Sequence, residues 1–206
     1  LLSVQSDYTR SKTDTLQGYV QAFKALGGGW DASMRVPMLP NEMIAQMEKK
    51  YDITIITQNV DDLHERAGSN EVWHVHGDLT KVTSSKNRFD MSCIQYYPLN
   101  EPIMVGQQAA DGSQLRPFVV MMDEYLPPLN VAIKRIQEAD IFVIIGTSMS
   151  IGAGGFLCNL ASPQAKKYII DPVDYRHMLL PDFHWIAKPA TSGVDELVAE
   201  LEILEK

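Results

Sequence analysis

The sequence is poor in cysteine, in basic residues and in long apolar runs, and each shortage excludes a class of protein. Two cysteines among 206 residues, Cys93 and Cys158, cannot build a disulfide scaffold and favour a reducing compartment, so we expect the cytoplasm. The net charge of −8 argues against a nucleic-acid partner. No apolar run approaches the roughly 18 residues of a membrane span, and residues 1–15 contain no signal-peptide core. We therefore expect no membrane partner.

The sequence does contain short apolar runs that alternate with amphipathic stretches. Residues 53–57 (ITIIT) and 141–145 (IFVII) are continuously apolar, which is typical of strands buried on both faces of a parallel sheet. This alternation predicts an α/β fold built on a doubly wound parallel sheet. Further strands are predicted over 71–75, 118–122 and 168–170, and helices over 13–26, from a capping Asn41, over 127–139 and over 194–204.

Residues 57–62 (TQNVDD) place amide and carboxylate side chains directly after a buried strand. In a doubly wound sheet ligands bind beyond the carboxyl ends of the strands, so Asn59 and the acids at 61 and 62 are candidates for contacting a polar ligand. The alternative is a turn that Asn and Asp side chains stabilise without binding anything. The pattern alone leaves both interpretations open.

Residues 73–78 (WHVHGD) place His74 and His76 on one face of a strand, because side chains alternate along it. A histidine at a strand end is a candidate general base. It can equally be a structural residue bonded to a neighbour. A third hypothesis is a metal site made of His64, His74 and His76, although no fourth ligand follows a zinc pattern.

Two further strand ends carry residues suited to a nucleotide. Gly146, Thr147 and Ser148 follow the run at 141–145, where glycine permits close backbone approach and the hydroxyls can bind phosphate or ribose. Asp171 follows the strand at 168–170, a place where dinucleotide folds commonly use an acid to hold a ribose hydroxyl. A turn Asp before Pro172 explains the same residue equally well.

Taken in order, these segments resemble the motifs of the sirtuins, a family of NAD-dependent protein deacylases, and the resemblance runs from about residue 41 to the C-terminus. Residues 192–194 also resemble the family's last adenine-site loop. The matching segments are TQNVDDLHERAGS at 57–69 for TQN(I/V)D-x-LH-x-x-AG, WHVHGDL at 73–79 for E-x-HG, RPFVVMMDEYLP at 116–127 for RP-x-(I/V)V-x-FGE-x-LP, IGTSMSI at 145–151 for GTS-x-x-V, and YIIDPVD at 168–174 for a strand ending in IN-x-E.

The resemblance implies a domain organisation. A Rossmann-like NAD-binding domain would cover residues 41–77 and 116–206. Residues 78–115, which are polar and without clear periodicity, would form a small inserted lobe, and residues 1–40 would add a helical part to that lobe.

The resemblance also implies the chemistry, with NAD as co-substrate and an acyl-lysine protein or peptide as partner. His76 would be the general base, and Asn59 would orient the ribose or a water. Val120, Met122, Asp123 and Glu124 would contact the acyl-lysine substrate. The remaining contacts would be Gln58 and Asp61 with the nicotinamide and ribose, Gly146, Thr147 and Ser148 with ribose and phosphates, Asp171 with the adenine ribose, and Val194 with adenine.

The sequence departs from the family pattern in three places. The GAG-x-S-x-x-SGIP-x-FR segment, which supplies the first strand and the phosphate turn, is absent from these residues. Residues 78–117 contain Cys93 alone, so a four-thiolate zinc site is excluded there and no zinc is expected; the lobe must be held by packing or be loose. The family's FGE appears as residues 122–124, Met-Asp-Glu, which leaves the substrate preference open.

Three function classes remain. The first is an NAD-dependent protein-lysine deacylase that releases nicotinamide and O-acyl-ADP-ribose, which the retained His76 favours. The second is an ADP-ribosyltransferase or NAD hydrolase on the same scaffold, for which the altered 122–124 leaves room. The third is a non-catalytic nucleotide-binding or interaction domain, which the missing glycine-rich segment favours. Fold-level similarity cannot separate them.

Overall fold

The computed structural model describes residues 40–121, 124–147 and 153–204. The helix predicted over 13–26 and the assignment of residues 1–39 lie outside these ranges, as do Met122, Asp123 and Ser148. Within them the chain is a mixed α/β structure with two parallel sheets and one antiparallel sheet. The parallel sheets agree with the predicted Rossmann-like α/β class.

The first parallel sheet has two strands, and Thr57 lies opposite His74 in its register. The helix that precedes it begins at Pro40, since proline suits the first helical position, where no N–H needs a partner. Asn41 therefore lies inside this helix, and the prediction that it forms the cap is wrong. The elements are α1 (Pro40–Met47), β1 (Ile55–Thr57), α2 (Leu63–Arg66) and β2 (Val72–His74).

The antiparallel sheet occupies most of the predicted insertion and contains three strands in the order β4-β3-β5. The bounds predicted for the strand over 118–122 are wrong, because the observed strand runs from Leu115 to Val119; it pairs antiparallel with the strand after His76 instead of joining a parallel sheet. Its sequence, LRPFV, contains Arg and Pro, so it is not a continuous apolar run and the apolar pattern did not predict its bounds. The strands are β3 (Gly77–Ser84), β4 (Gln95–Tyr96) and β5 (Leu115–Val119).

Packing holds this small lobe together. Val82, Cys93, Ala109 and Leu115 form its buried cluster. The buried hydroxyl of Ser84 donates to Asp111 at 2.6 Å and accepts from the backbone N–H groups of residues 86 and 87. Hydrogen bonds from Ser84 and Ser113 lower the pKa of Asp111 to about 2. Apolar burial and this hydroxyl-centred turn therefore supply the cohesion of the lobe.

The second parallel sheet has three strands in the order β6-β7-β8, and it includes a last strand that the sequence did not suggest. That strand is short and follows Pro181 and Asp182, so it lacked a long apolar run. The elements are α3 (Asn130–Glu138), β6 (Ile141–Ile145), α4 (Ala153–Cys158), β7 (Lys166–Ile170), a 3₁₀ turn (Arg176–Met178), β8 (Phe183–Ile186) and α5 (Ala190–Leu204).

The C-terminal helix α5 packs tightly on this sheet. A Cβ on Gly193 would lie 2.2 Å from Cγ2 of Ile170, so only glycine permits the approach. The helix begins at Ala190, four residues before the predicted start, and residues 192–194 lie in its first turns rather than before it. None of the helices in the described ranges combines the length and apolar composition that a bilayer crossing requires.

Candidate active site

The loop after β1 is folded back onto its neighbours by hydrogen bonds from its own residues. The buried hydroxyl of Thr57 accepts from the Asn59 N–H at 3.1 Å, and the Thr57 carbonyl accepts from the Val75 N–H at 2.9 Å. The Val60 carbonyl accepts from the Leu79 N–H at 2.8 Å. These contacts fix Gln58 and Asn59 at the carboxyl end of β1, where the sequence predicted a polar site.

Two histidines around the end of β2 contact this loop at successive carbonyl groups. Nδ1 of His74 lies 2.8 Å from the carbonyl oxygen of Asn59, and Nδ1 of His76 lies 3.1 Å from that of Gln58. Nε2 of His74 lies 2.8 Å from Oε1 of Glu65. Across the described part of the chain, Nε2 of His76 has no hydrogen-bond partner. His74 is thus engaged at both nitrogens, whereas His76 keeps one available.

Gly77 allows the chain to turn from His76 into the small lobe. Its φ is +88°, and a Cβ there would lie 2.1 Å from the carbonyl oxygen of Phe118. Directly beside this close approach, the Val120 N–H donates to the His76 carbonyl at 2.8 Å. The segment predicted to contact the acyl-lysine substrate is therefore bonded to the backbone of the candidate base.

The end of β6 supplies a second polar rim. Gly146 has a φ of +59°, and its N–H donates to the Ile170 carbonyl at 3.1 Å. Among the described residues, no atom lies within 4 Å of a Cβ built on Gly146, so these residues leave its backbone unobstructed. A ligand atom can approach the chain closely there.

One cleft of about 850 Å³ joins the carboxyl ends of β1 and β6, and neither His74 nor His76 is among its lining residues. It lies between β1 and β6, each of which pairs with a single other strand within the described residues. Apolar side chains from both strands and from α5 form its walls. Five of the predicted cofactor-binding residues line it, namely Gln58, Asn59, Gly146, Thr147 and Val194.

Three of the predicted cofactor contacts have structural partners. Oδ1 of Asp61 accepts from the Leu63 N–H at 3.2 Å, and Oδ1 of Asp171 accepts from the Val173 N–H at 2.8 Å, so both acids stabilise turns. Val194 is fully buried (0% exposed) in the core against β7 and β8. Their contacts with NAD stay predictions.

Glu124 is part of an ionic cluster that fastens the small lobe. Its carboxylate accepts from Arg116 at 2.6 Å, from Arg88 at 2.7 Å and from the Met121 N–H at 2.8 Å. The hydrogen bond from Arg116 is the main cause that lowers the pKa of Glu124. A carboxylate engaged by three donors is held in a fixed position, and its contact with the acyl-lysine substrate stays a prediction. The two arginines, 28 positions apart, escaped the sequence analysis because only the fold brings them together.

The hypothesis of a metal site at His64, His74 and His76 finds no support in the described residues. Across the described ranges no group of three or more His, Cys, Asp or Glu side chains is arranged to hold an ion. His64 instead lies partly buried along the cleft, and its Nδ1 is buried without a partner among those residues. His74, as described above, is committed to Asn59 and Glu65.

We expect His64 to make stability depend on pH. Burial lowers its pKa, and the nearby acids Glu65 and Asp61 only partly oppose that shift. A depressed pKa means that the fold favours neutral His64, so its contribution is complete above the ordinary value of about 6.5 and is lost as pH falls through the folded value. Thermal unfolding from about pH 8 to about pH 5 should therefore show a smaller acid-induced loss in His64→Leu than in the parent chain.

The matched control is His184, whose side chain is 56% exposed and pairs with Glu200 at 3.4 Å. His184→Leu should leave the acid-induced loss of the parent chain intact. Equal pH slopes for His64→Leu and the parent chain would refute the assignment.

Comparison with known proteins agrees with this geometry. Residues 4–153 match the model of the Sir2 family. An "NAD-dependent protein deacylase" of Bacteroides thetaiotaomicron is 41% identical over 162 residues, which cover 78% of this chain and 69% of that protein.

Two solved structures are also similar. A mutant Sir2 homologue in complex with ADP-ribose superposes with a TM-score of 0.67 at 30% identity, covering 82% of this chain and 68% of that one. A Sir2 protein bound to a myristoylated histone peptide superposes with a TM-score of 0.63 at 25% identity, covering 84% and 75%. The sequence match, the α/β fold and the histidines at the strand-end loop all lead to one conclusion: this chain belongs to the Sir2 family, the sirtuins.

Proposed function

We propose that this chain is an NAD-dependent protein-lysine deacylase that releases nicotinamide and O-acyl-ADP-ribose. The observation that carries the proposal is the ring of His76, whose Nδ1 lies 3.1 Å from the Gln58 carbonyl. A carbonyl oxygen accepts only, so Nδ1 carries a proton, and in the neutral ring Nε2 then presents a lone pair. That form of histidine is the one that accepts a proton as a general base.

Each residue at the site then has a separate role in the reaction. His76 takes a proton at Nε2 from a ribose hydroxyl, and the Gln58 carbonyl keeps the ring in the competent tautomer. Asn59, whose exposed side chain borders the cleft, orients the ribose or a water. NAD, when bound, supplies the electrophilic ribose carbon at which nicotinamide leaves and the acyl oxygen attacks. The apolar walls of β1 and β6 keep water from that carbon.

The cleft suits part of a dinucleotide. Its volume of about 850 Å³ falls within the range of roughly 300–1,000 Å³ that small-molecule sites occupy. The unobstructed backbone at Gly146 and the neighbouring Thr147 provide groups that can approach ribose or phosphate oxygens. These residues would hold the ribose end; Ser148, Asp61, Asp171 and Val194 are retained as further proposed contacts.

For the acyl-lysine substrate we propose the segment that follows β5. Val120 is bonded through its N–H to the His76 carbonyl, which puts this segment next to the base. Val120, Met122, Asp123 and Glu124 are the proposed contacts, and the ion pairs with Arg88 and Arg116 fix the position of Glu124. The myristoylated histone peptide bound by a similar Sir2 protein supports a peptide substrate.

We further propose that the reaction needs no zinc and takes place in the cytoplasm. The apolar packing of Val82, Cys93 and Leu115 and the hydrogen bond from Ser84 to Asp111 stabilise the small lobe, so we expect it to need no structural metal. Both cysteines are buried and free, which suits a reducing compartment. Activity that survives prolonged treatment with a zinc chelator would support the first statement.

A single assay tests the function. The chain is incubated with NAD, with or without acetyl-, succinyl- and long-chain-acyl-lysine peptides, and nicotinamide and O-acyl-ADP-ribose are measured. We expect peptide-dependent release of both products. Nicotinamide release without peptide would instead support an NAD hydrolase, ADP-ribose on the peptide a transferase, and failure to bind NAD the non-catalytic class.

A further inference from the structure

His74 lies between two groups that can only accept hydrogen bonds. Its Nδ1 is 2.8 Å from the carbonyl oxygen of Asn59, and its Nε2 is 2.8 Å from Oε1 of Glu65. A neutral imidazole carries one N–H, so it can donate to only one of them. The Glu65 side chain is 41% exposed, and water favours its carboxylate form. Both short contacts are therefore satisfied together when His74 is an imidazolium.

The surroundings of His74 stabilise its ion pair with Glu65, so that the ring can hold the Asn59 carbonyl in place. Its side chain is 7% exposed, so neither nitrogen exchanges its partner freely for water. His64, whose charge interacts with that of His74, has its pKa lowered mainly by burial, which favours the neutral form of His64 and so reduces like-charge repulsion on His74. Hydrogen bonds from a charged donor are roughly twice as strong as neutral ones.

The anchored carbonyl belongs to Asn59, and the one before it, on Gln58, orients His76. A shift of the Asn59 peptide would therefore move two functional groups at once, the Asn59 side chain and the acceptor for Nδ1 of His76. No other side chain within the described ranges donates to these two carbonyls.

We propose that His74, held as an imidazolium by Glu65, is a positioning residue that fixes the Asn59–Val60 peptide, directly after the Gln58 carbonyl that orients His76, for catalysis. This role rests on the proposed deacylase function. It assigns a task to His74 and Glu65, neither of which is among the proposed ligand contacts. Glu65 escaped the sequence analysis because it lies on α2, nine positions from His74, and only the fold brings them together.

Two variants separate the hydrogen bond between His74 and the Asn59 carbonyl, which we call the tether, from the ion pair between His74 and Glu65. Asn places its amide nitrogen where His has Nδ1, so His74→Asn keeps the donor to the Asn59 carbonyl and loses Glu65. Gln places its amide nitrogen where His has Nε2, so His74→Gln keeps the Glu65 contact and loses the tether. We expect His74→Gln to lower kcat by about 10- to 100-fold with little change in KM for NAD, and His74→Asn to lower it much less.

A merely structural histidine predicts a different pattern. Both variants would then lose stability and activity in parallel, and equal kcat values for the two would overturn the proposal. The matched control is the exposed pair of His184 and Glu200, whose variants His184→Asn and His184→Gln should leave kcat unchanged.

Nuclear magnetic resonance makes the test independent of activity. In the ¹⁵N-labelled chain, both ring nitrogens of His74 should report a bound proton, and Glu65→Gln should remove it from Nε2. The Val60 amide, which shares a peptide with the Asn59 carbonyl, should shift in His74→Gln and hold in His74→Asn. A chain that binds no NAD but shows these signals would refute the deacylase function and leave the tether; a neutral His74 ring would refute the imidazolium anchor itself.

Discussion

Replacing His76 by Asn is expected to lower kcat for peptide-dependent nicotinamide and O-acyl-ADP-ribose formation by roughly 10²- to 10⁴-fold. Asn carries an amide nitrogen at the place of Nδ1, so it can still donate to the Gln58 carbonyl that His76 contacts at 3.1 Å. It has no group at the place of Nε2 and no basic lone pair. The substitution therefore removes the base while it retains the loop contact.

Binding and stability are the controls for this variant. Because the Gln58 contact is retained, NAD affinity measured by calorimetry and the melting temperature should stay close to those of the parent chain. His76→Tyr should also abolish acyl removal while sparing NAD binding. A His76→Asn variant that kept full kcat would show that another group accepts the proton.

Three strands of the parallel sheets, β1, β6 and β7, were predictable from sequence because each contains an apolar run. β1 and β6 cover most of ITIIT and IFVII, and β7 contains the predicted run at 168–170. β5 and β8 were not predictable in this way. β5 contains Arg116 and Pro117, and β8 is four residues long and follows a Pro-Asp pair. Such strands are stabilised by pairing with strands that are distant in the sequence.

The candidate site shows the same division. Asn59, His76 and Gly146 were predictable because each follows a strand and has a side chain or backbone suited to its role. The partners that hold them were not: Glu65 reaches His74 across nine positions, and Arg88 reaches Glu124 across 36. Long-range pairing of this kind depends on the register of β2 and β3, which no local pattern specifies.

Gly77→Ala is expected to be the most destabilising substitution at the site. A φ of +88° costs an alanine about 1–3 kcal/mol, and the new Cβ would also lie 2.1 Å from the Phe118 oxygen and 2.9 Å from the Val119 Cα. These are backbone atoms of β5, which pairs with β3 in the register Gly77–Val119. Relief requires the two strands to separate, so we expect a loss of about 3 kcal/mol or more and a melting temperature lower by on the order of 10 °C.

Gly106→Ala is the matched control, since its φ is +94° but a Cβ there would meet no atom of the described part of the chain within 4 Å. Comparing the two variants by denaturant unfolding separates backbone strain, which they share, from the clash at β5, which belongs to Gly77 alone. Equal losses in both would refute the clash. Separation of β3 from β5 would also lengthen the bond between the Val120 N–H and the His76 carbonyl. Folded Gly77→Ala should consequently lose kcat beyond its loss of stability, whereas Gly106→Ala should keep it, because the base and the substrate segment are joined through this one turn.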